Sequence, residues 1–193
     1  MRDSAHCGNL MSIDLSKNEI VFGPEHMEAL SGVLREKNST LERIKLSHNQ
    51  LGDEMLTAMM PSVTQSCLTH IYMNDCRLTI RGLAAFFQYL TGNYSVSVVS
   101  LKNNDFSMPD LSNINSFLTF KEVKDVDHYI SEFLSSNQCL KELHLDNSSL
   151  YDRVCKAIGR GLNINQYLTV LSVSHNLLTD ECIEGLFQGI IGS

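Results

Sequence analysis

Leu46-Ser47-His48-Asn49-Gln50-Leu51-Gly52-Asp53-Glu54 returns near the C-terminal end as Val173-Ser174-His175-Asn176-Leu177-Leu178-Thr179-Asp180-Glu181. A phrase said twice calls for a search for weaker copies between, because self-similarity at a steady period decides an architecture before any single element is read. The skeleton L-x-x-L-x-L-x-x-N-x-L sets six copies in register. The first three run Leu10, Ile13, Leu15, Asn18, Ile20; Leu41, Ile44, Leu46, Asn49, Leu51; and Leu68, Ile71, Met73, Cys76, Leu78. The last three run Val96, Val99, Leu101, Asn104, Phe106; Leu140, Leu143, Leu145, Ser148, Leu150; and Leu168, Leu171, Val173, Asn176, Leu178. Starts at 10, 41, 68, 96, 140 and 168 give steps of 31, 27, 28, 44 and 28.

Each position of the skeleton has a physical reason. Ile44 and Leu46 are two apart, so they point to one side of a short strand, while Arg43, Lys45 and Ser47 point to the other. The Asn follows the strand, where the chain turns and a side-chain amide can bond free backbone groups of its own and neighbouring turns. Cys76 and Ser148 take that slot in two copies, and Ser148 is expected to be the weaker link. A helix-like stretch follows each strand. Pro24 opens one, with Met27, Leu30 and Leu34 at helical spacing. Asp53, Thr79, Asp152 and Asp180 stand ahead of the apolar stripes that begin at Leu56, Leu83, Cys155 and Ile183. These Asp and Thr residues read as N-caps. The stripes read as core rather than as a cofactor site, since one face of each helix must pack on its neighbours.

A period near 28 with a full helix per repeat resembles the ribonuclease-inhibitor-like class of leucine-rich repeats. That class includes ribonuclease inhibitor, RanGAP, tropomodulin, CARMIL and the sensor regions of NOD-like receptors. The resemblance covers roughly residues 8–191. It implies an α/β fold, a right-handed curved horseshoe with a parallel β-sheet on the concave face and α-helices on the convex face. It implies one domain over residues 1–193, of about six repeats with an insertion near 107–124. In function it implies a protein–protein interaction module, an adaptor or regulatory scaffold working through the concave face. Two alternatives come with it: a regulator of a small GTPase or of actin assembly, or the ligand-sensing repeat region of a larger receptor.

Composition narrows the partner. The formal net charge is -7, which argues against bulk attraction to nucleic acid or an anionic membrane. No apolar run approaches the roughly 20 residues that span a bilayer. Met1-Arg2-Asp3-Ser4-Ala5-His6 leads straight into a repeat strand, so no secretory signal is expected and a cytoplasmic location is. Six cysteines stand at 7, 67, 76, 139, 155 and 182 with no C-x-x-C spacing. Buried free thiols in a reducing compartment are their simplest account, with Cys76 and Cys182 in repeat cores and Cys155 on a helix. The glycosylation-like triplets at Asn38, Asn93 and Asn147 carry little weight without an export signal.

The step of 44 exceeds the others by about 16 residues. Leu111, Ile114, Phe117 and Leu118 suggest one helical stretch, and Val126, Tyr129, Ile130, Phe133 and Leu134 a second, with Lys121-Glu122-Val123-Lys124-Asp125 between them. Three readings stand open: a tolerated loop expansion, a partner-contacting element, or a degenerate strand near Phe117–Phe120.

Outward strand residues stack into three columns. They read Ser12, Arg43, His70, Val98, Glu142, Val170; then Asp14, Lys45, Tyr72, Ser100, His144, Ser172; then Ser16, Ser47, Asn74, Lys102, Asp146, Ser174. A basic and aromatic cluster of Arg43, Lys45, His70, Tyr72 and Lys102 meets an acidic one of Glu142, His144 and Asp146. Tyr beside Arg is hot-spot composition, and these eight residues are the candidate partner-binding site, although a solvated strand face carries charge anyway. Catalysis is not expected. His48 and His175 share a motif position four strands apart, at ~4.8 Å per strand too far for one metal. Glu142, His144 and Asp146 on one flat strand converge poorly on an ion. No phosphate loop, G-x-S-x-G or H-E-x-x-H occurs, so neither cofactor nor metal is expected. Cys7 and Cys139 pair with no nearby His. At the C-terminal end Ile183, Leu186, Phe187, Ile190 and Ile191 form an apolar set with no cap after it. Two outcomes are open there: continuation into a longer array, or self-association through uncapped ends.

Overall fold

A computed structural model describes residues 9–36, 39–108 and 116–191, with side chains described outside 116–124. Among them, strands and helices alternate. They are β1 (Ser12–Asp14), α1 (Pro24–Arg35), β2 (Arg43–Lys45), α2 (Gly52–Thr64), β3 (His70–Tyr72) and α3 (Ile80–Leu90). Then come β4 (Val98–Ser100), α4 (Ser116–Ser136), β5 (Glu142–His144), α5 (Asp152–Leu162), β6 (Val170–Ser172) and α6 (Asp180–Ile191). The six strands pair in parallel in chain order. Ile13, Ile44, Ile71, Val99, Leu143 and Leu171 stand in one row across the pairings, the register set by the skeleton. The molecule is a right-handed curved solenoid, with the sheet on its concave face and the helices on its convex face.

The core lies between sheet and helices. Ile44, Leu46, Ile71, Met73, Leu101, Leu143 and Leu145 are fully buried from the strand side. Leu56, Met59, Met60 and Val63 meet them from α2. Phe87 of α3 packs on Phe133 of α4, ring centres 5.3 Å apart, so aromatic contact carries the core across the long fourth repeat.

The strand exit repeats its geometry. Lys17, His48, Asp75, Asn103, Asn147 and His175, one from each repeat, have positive φ between 51° and 60°. Each stands just before the Asn slot. The shared place of His48 and His175 is therefore a left-handed turn position, which His and Asn tolerate better than branched residues do. The Asn itself links repeats. Asn104 Oδ1 accepts from the backbone N–H of Cys76 and Leu78, and its Nδ2 donates to the carbonyls of Met73 and Leu101. Asn176 does the same to Ser148, Leu150, Leu145 and Val173. In the variant slots only part survives. Cys76 Sγ reaches the Leu46 carbonyl at 3.3 Å, and Ser148 Oγ reaches that of Leu101 at 3.3 Å.

Several expectations need correction. Asp53 and Asp152 cap no helix of their own, since α2 and α5 have no side-chain cap. Each carboxylate instead reaches forward one repeat. Asp53 accepts from Thr79 N–H and Thr79 Oγ1 at 2.8 and 2.5 Å, and Asp152 accepts from Thr179 N–H and Oγ1 at 2.7 and 2.5 Å. Thr79 does cap α3, accepting from Arg81 N–H at 3.2 Å. The Lys121–Asp125 run does not divide two helices, because α4 is one helix of 21 residues. That run holds neither Gly nor Pro, and charged residues of good helix propensity do not stop a helix. The backbone over Phe117–Phe120 is accordingly helical and not a strand. Leu111 and Ile114, like Cys7, lie outside the described residues.

The cysteines divide. Cys76 is a buried free thiol, whereas Cys155 and Cys182 are joined in a disulfide between α5 and α6. Their separation of 27 residues is nearly one repeat step, which sets them on adjacent helices with Cα atoms 5.7 Å apart. The expectation of free buried thiols fails for that pair. Cys67 is exposed and Cys139 half-buried.

Candidate functional site

The two inner columns stand as the skeleton placed them: Arg43 beside His70, Val98 and Glu142, and Lys45 beside Tyr72, Ser100 and His144. Three-residue strands fix this face, since each turns outward only its first and third side chains. In repeat four both are small and buried: Val98 is 8% exposed and Ser100 3%. They floor a shallow trough. His70 and Tyr72 rise on one side of it, their rings stacked with centroids 6.4 Å apart, and Glu142 and His144 rise on the other. Arg43 extends the first wall and is exposed.

Charge on the trough is arranged in pairs. Glu142 Oε2 lies 3.2 Å from His144 Nε2. Lys45 Nζ lies 3.2 Å from Asp14 Oδ2 on the neighbouring strand, with both groups about half exposed. His70 accepts or donates at Nδ1 with Thr69 Oγ1, 2.7 Å away. Burial lowers the His70 pKa and the Arg43 guanidinium adds to the effect, against the opposing pull of Glu142 and Glu42. The wall beside Arg43 therefore carries a neutral imidazole at neutral pH.

The third column behaves differently. Ser47 Oγ accepts from Asn74 N–H at 3.0 Å, and Asn74 Oδ1 accepts from Lys102 N–H and from Ser100 Oγ. Asp146 Oδ1 accepts from Ser174 N–H and Ser174 Oγ, and from Ser172 Oγ. These side chains form a second ladder between repeats, on the opposite side of the strand exit from the Asn ladder. Asp146 is 8% exposed. Burial raises its pKa, but hydrogen bonds from Ser172 and Ser174 and the Lys102 ammonium outweigh that and hold the carboxyl well below the usual range. Lys102 Nζ lies 2.9 Å from Asp146 Oδ2. Asp146 thus fixes the position of Lys102 at the edge of the trough.

All eight candidate residues lie on the concave side, and seven of them keep solvent contact there. Sequence reasoning missed the structural work of the third column. A signal was available: Ser47, Asn74, Asp146 and Ser174 are all short hydrogen-bonding side chains at one repeat position. Reasoning also missed a groove of about 990 Å³ at the strand-to-helix rim, lined by Phe22, Met55, Arg77, Arg81 and Tyr129 among others. It draws on the rim of several successive repeats, where no local motif points.

Comparison with known proteins adds the family. The family model described as Leucine Rich repeat matches residues 37–60 and 165–187, the two copies of the opening phrase. NACHT, LRR and PYD domains-containing protein 5 of Bos taurus is 25% identical over 157 residues, 80% of this chain. The match spans only 13% of that relative's length. Among solved structures, Leiomodin-1 Actin-Binding Site 2 superposes with a TM-score of 0.53 at 13% identity, over 79% of this chain and 81% of that one. The tropomodulin C-terminal domain of Caenorhabditis elegans superposes with a TM-score of 0.53 at 18% identity, over 80% of this chain and 86% of that one. With the repeat register, the parallel sheet and the Asn ladder, these matches show leucine-rich repeats stacked in a solenoid, a fold similar to that of the ribonuclease-inhibitor-like type.

Proposed function

We propose that this chain is a protein–protein interaction module whose concave face receives a protein partner. The observation that carries the reading is the trough over repeat four. A small buried floor of Val98 and Ser100 lies between an aromatic and basic wall and an acidic one. Tyr72 and Arg43 are the residue types that dominate binding energy when a partner covers them, and Lys45, Lys102 and Glu142 supply a charged rim. His144 and Asp146 orient Glu142 and Lys102. The net charge of -7 makes a protein with a basic or mixed surface a better partner than nucleic acid.

A second reading has a specific observation in its favour. The bovine relative is a multidomain protein by its name, and the match covers a small fraction of it, so the chain suits the ligand-sensing repeat region of a larger receptor. The leiomodin likeness bears on fold, and its actin-binding description prompts an actin arm in the test. The test compares the wild-type chain with Arg43→Glu/Tyr72→Ala in affinity capture followed by mass spectrometry, with co-sedimentation on actin filaments alongside. Loss of one or more captured proteins at unchanged circular dichroism is the expected result. Capture unaffected by the double substitution would refute the concave site.

A further inference from the structure

We propose that the trough over repeat four is a recognition pocket for one arginine side chain of the partner protein. The assignment rests on the concave face being the partner site, and it adds the chemistry of the group received there.

The trough has a definite width. Val98 and Ser100 lie one strand from His70 and Tyr72 on one side and one strand from Glu142 and His144 on the other. Strands stand ~4.8 Å apart, so the two walls are about 10 Å apart at the backbone. A cation seated over the floor lies about 5 Å from each wall, inside the ~6 Å reach of an aromatic face. The floor is apolar at Val98. Ser100 Oγ gives its hydrogen to Asn74 Oδ1, which leaves it only lone pairs to offer.

Charge sets the sign of the guest. The ammonium groups at the margins already have carboxylates: Lys45 pairs with Asp14, and Lys102 with Asp146. Burial lowers the His70 pKa, so its ring adds no positive charge to the trough. Glu142 is the carboxylate left over. Its Oε2 takes the His144 contact at 3.2 Å, and its Oε1 has no hydrogen bond or ion pair among the described residues. The Glu142 side chain is 43% exposed, so a guest can reach it while the protein shields part of the pair from water. Its charge is felt at His70, across Val98, so the two walls face one space.

Shape separates arginine from lysine. A guanidinium is flat, carries five donors and no acceptor, and is weakly hydrated. It can lie on Val98 and Tyr72 while donating to Glu142 Oε1 and Ser100 Oγ. An ammonium is compact and strongly hydrated, and would keep its water in a trough this shallow. Arg43 limits the guest to one cation. It stands three strands from Glu142, about 14 Å away at the backbone. It has no ion pair among the described residues, so a polybasic run would set a second cation against it. Free arginine is disfavoured, since its α-carboxylate would enter the same trough as Glu142. The guest is therefore an isolated arginine carried on a neutral peptide backbone.

The test titrates the full chain with N-acetyl-arginine N-methylamide and follows backbone amide shifts by NMR, with the citrulline and lysine counterparts in parallel. Saturable shifts centred on Tyr72, Val98 and Glu142 are expected with the arginine probe. The citrulline probe, alike in shape but uncharged, should bind about fivefold more weakly or worse, and so should the lysine probe. Glu142→Gln should bring the same loss with the arginine probe, while Glu28→Gln on the exposed side of α1 should bring none. Equal binding of arginine and citrulline, shifts centred elsewhere, or no saturable shift overturns the proposal, and none of these outcomes depends on a variant folding. Protein capture separates the two readings. Capture lost in Arg43→Glu/Tyr72→Ala but retained in Glu142→Gln would overturn the arginine assignment and leave the concave site standing. Capture indifferent to both would overturn the concave site and this assignment with it.

Discussion

The residue just before each Asn slot shows how one position is read twice over. In all six of these slots the backbone turns left-handed at a residue other than Gly, and the sequence fills them with Lys, His, Asp, Asn, Asn and His. Recurrence of His48 and His175 looks like chemistry in one dimension and is turn geometry in three. Cys76 shows the converse. It replaces an Asn, donates to the Leu46 carbonyl, and burial pushes its thiol pKa up to about 12. In the folded protein Cys76 should resist a thiol reagent at neutral pH, whereas Cys67 is exposed and should be labelled first. Mass mapping after brief alkylation checks this, and early labelling of Cys76 would contradict its placement. Asp146 makes the pH prediction. Its folded pKa lies below the unfolded value near 4, so its contribution is present above about pH 4 and is lost as pH falls further toward the folded value. Asp146→Ala should cost about 2 kcal/mol at neutral pH and flatten the acid limb of a melting-temperature profile. Parallel wild-type and variant profiles would show that Asp146 holds nothing.

At the scale of elements, strands and helix stripes were legible because alternation and 3.6-residue spacing are local. What joins the elements was less so. The forward reach of Asp53 and Asp152 looks from sequence like local capping, since an Asp two residues past the motif Leu fits either role. The close crossing of α5 and α6 was also hidden. A Cβ at Gly189 would come 2.0 Å from the Gly159 carbonyl oxygen, and one at Gly159 would come 2.4 Å from the Gly185 carbonyl oxygen. Backbone meets backbone there, so no side chain can yield. Two effects of Gly189→Ala therefore oppose each other. Helix propensity favours Ala by about 1 kcal/mol, while forcing two helices apart costs about 3 kcal/mol. The clash should win, and a fall in the thermal midpoint checks it, most cleanly with the Cys155–Cys182 bond reduced so that the link does not hold α6 in place. A rise would mean that α6 sits further out.

At the scale of the whole molecule, a repeat stack is a line of nearest-neighbour interfaces, and stability follows position along it. The trough sits where that line is best supported. Ile44, Ile71, Val99 and Leu143 are at most 1% exposed, whereas Ile13 and Leu15 at one end and Leu171 and Val173 at the other are only half-buried. The stacking of columns followed from the period, and the curvature and concave face were implied by the resemblance to ribonuclease-inhibitor-like repeats, so the face could be assigned from the sequence. The floor at Val98 and Ser100 could not, since its depth depends on how far Tyr72 and His144 rise beside it. The burial gradient makes a prediction. Amides of β3, β4 and β5 should exchange only through global unfolding, while those of β1 and β6 should exchange through local fraying at lower free energy, a separation of about 2 kcal/mol or more. Native-state hydrogen exchange across a denaturant series measures it. Fraying amides should show shallow denaturant dependence and central amides a steep one. Uniform exchange along all six strands would mean that this short stack unfolds as a single cooperative unit. Substitutions at either edge would then weaken the trough as directly as substitutions beneath it.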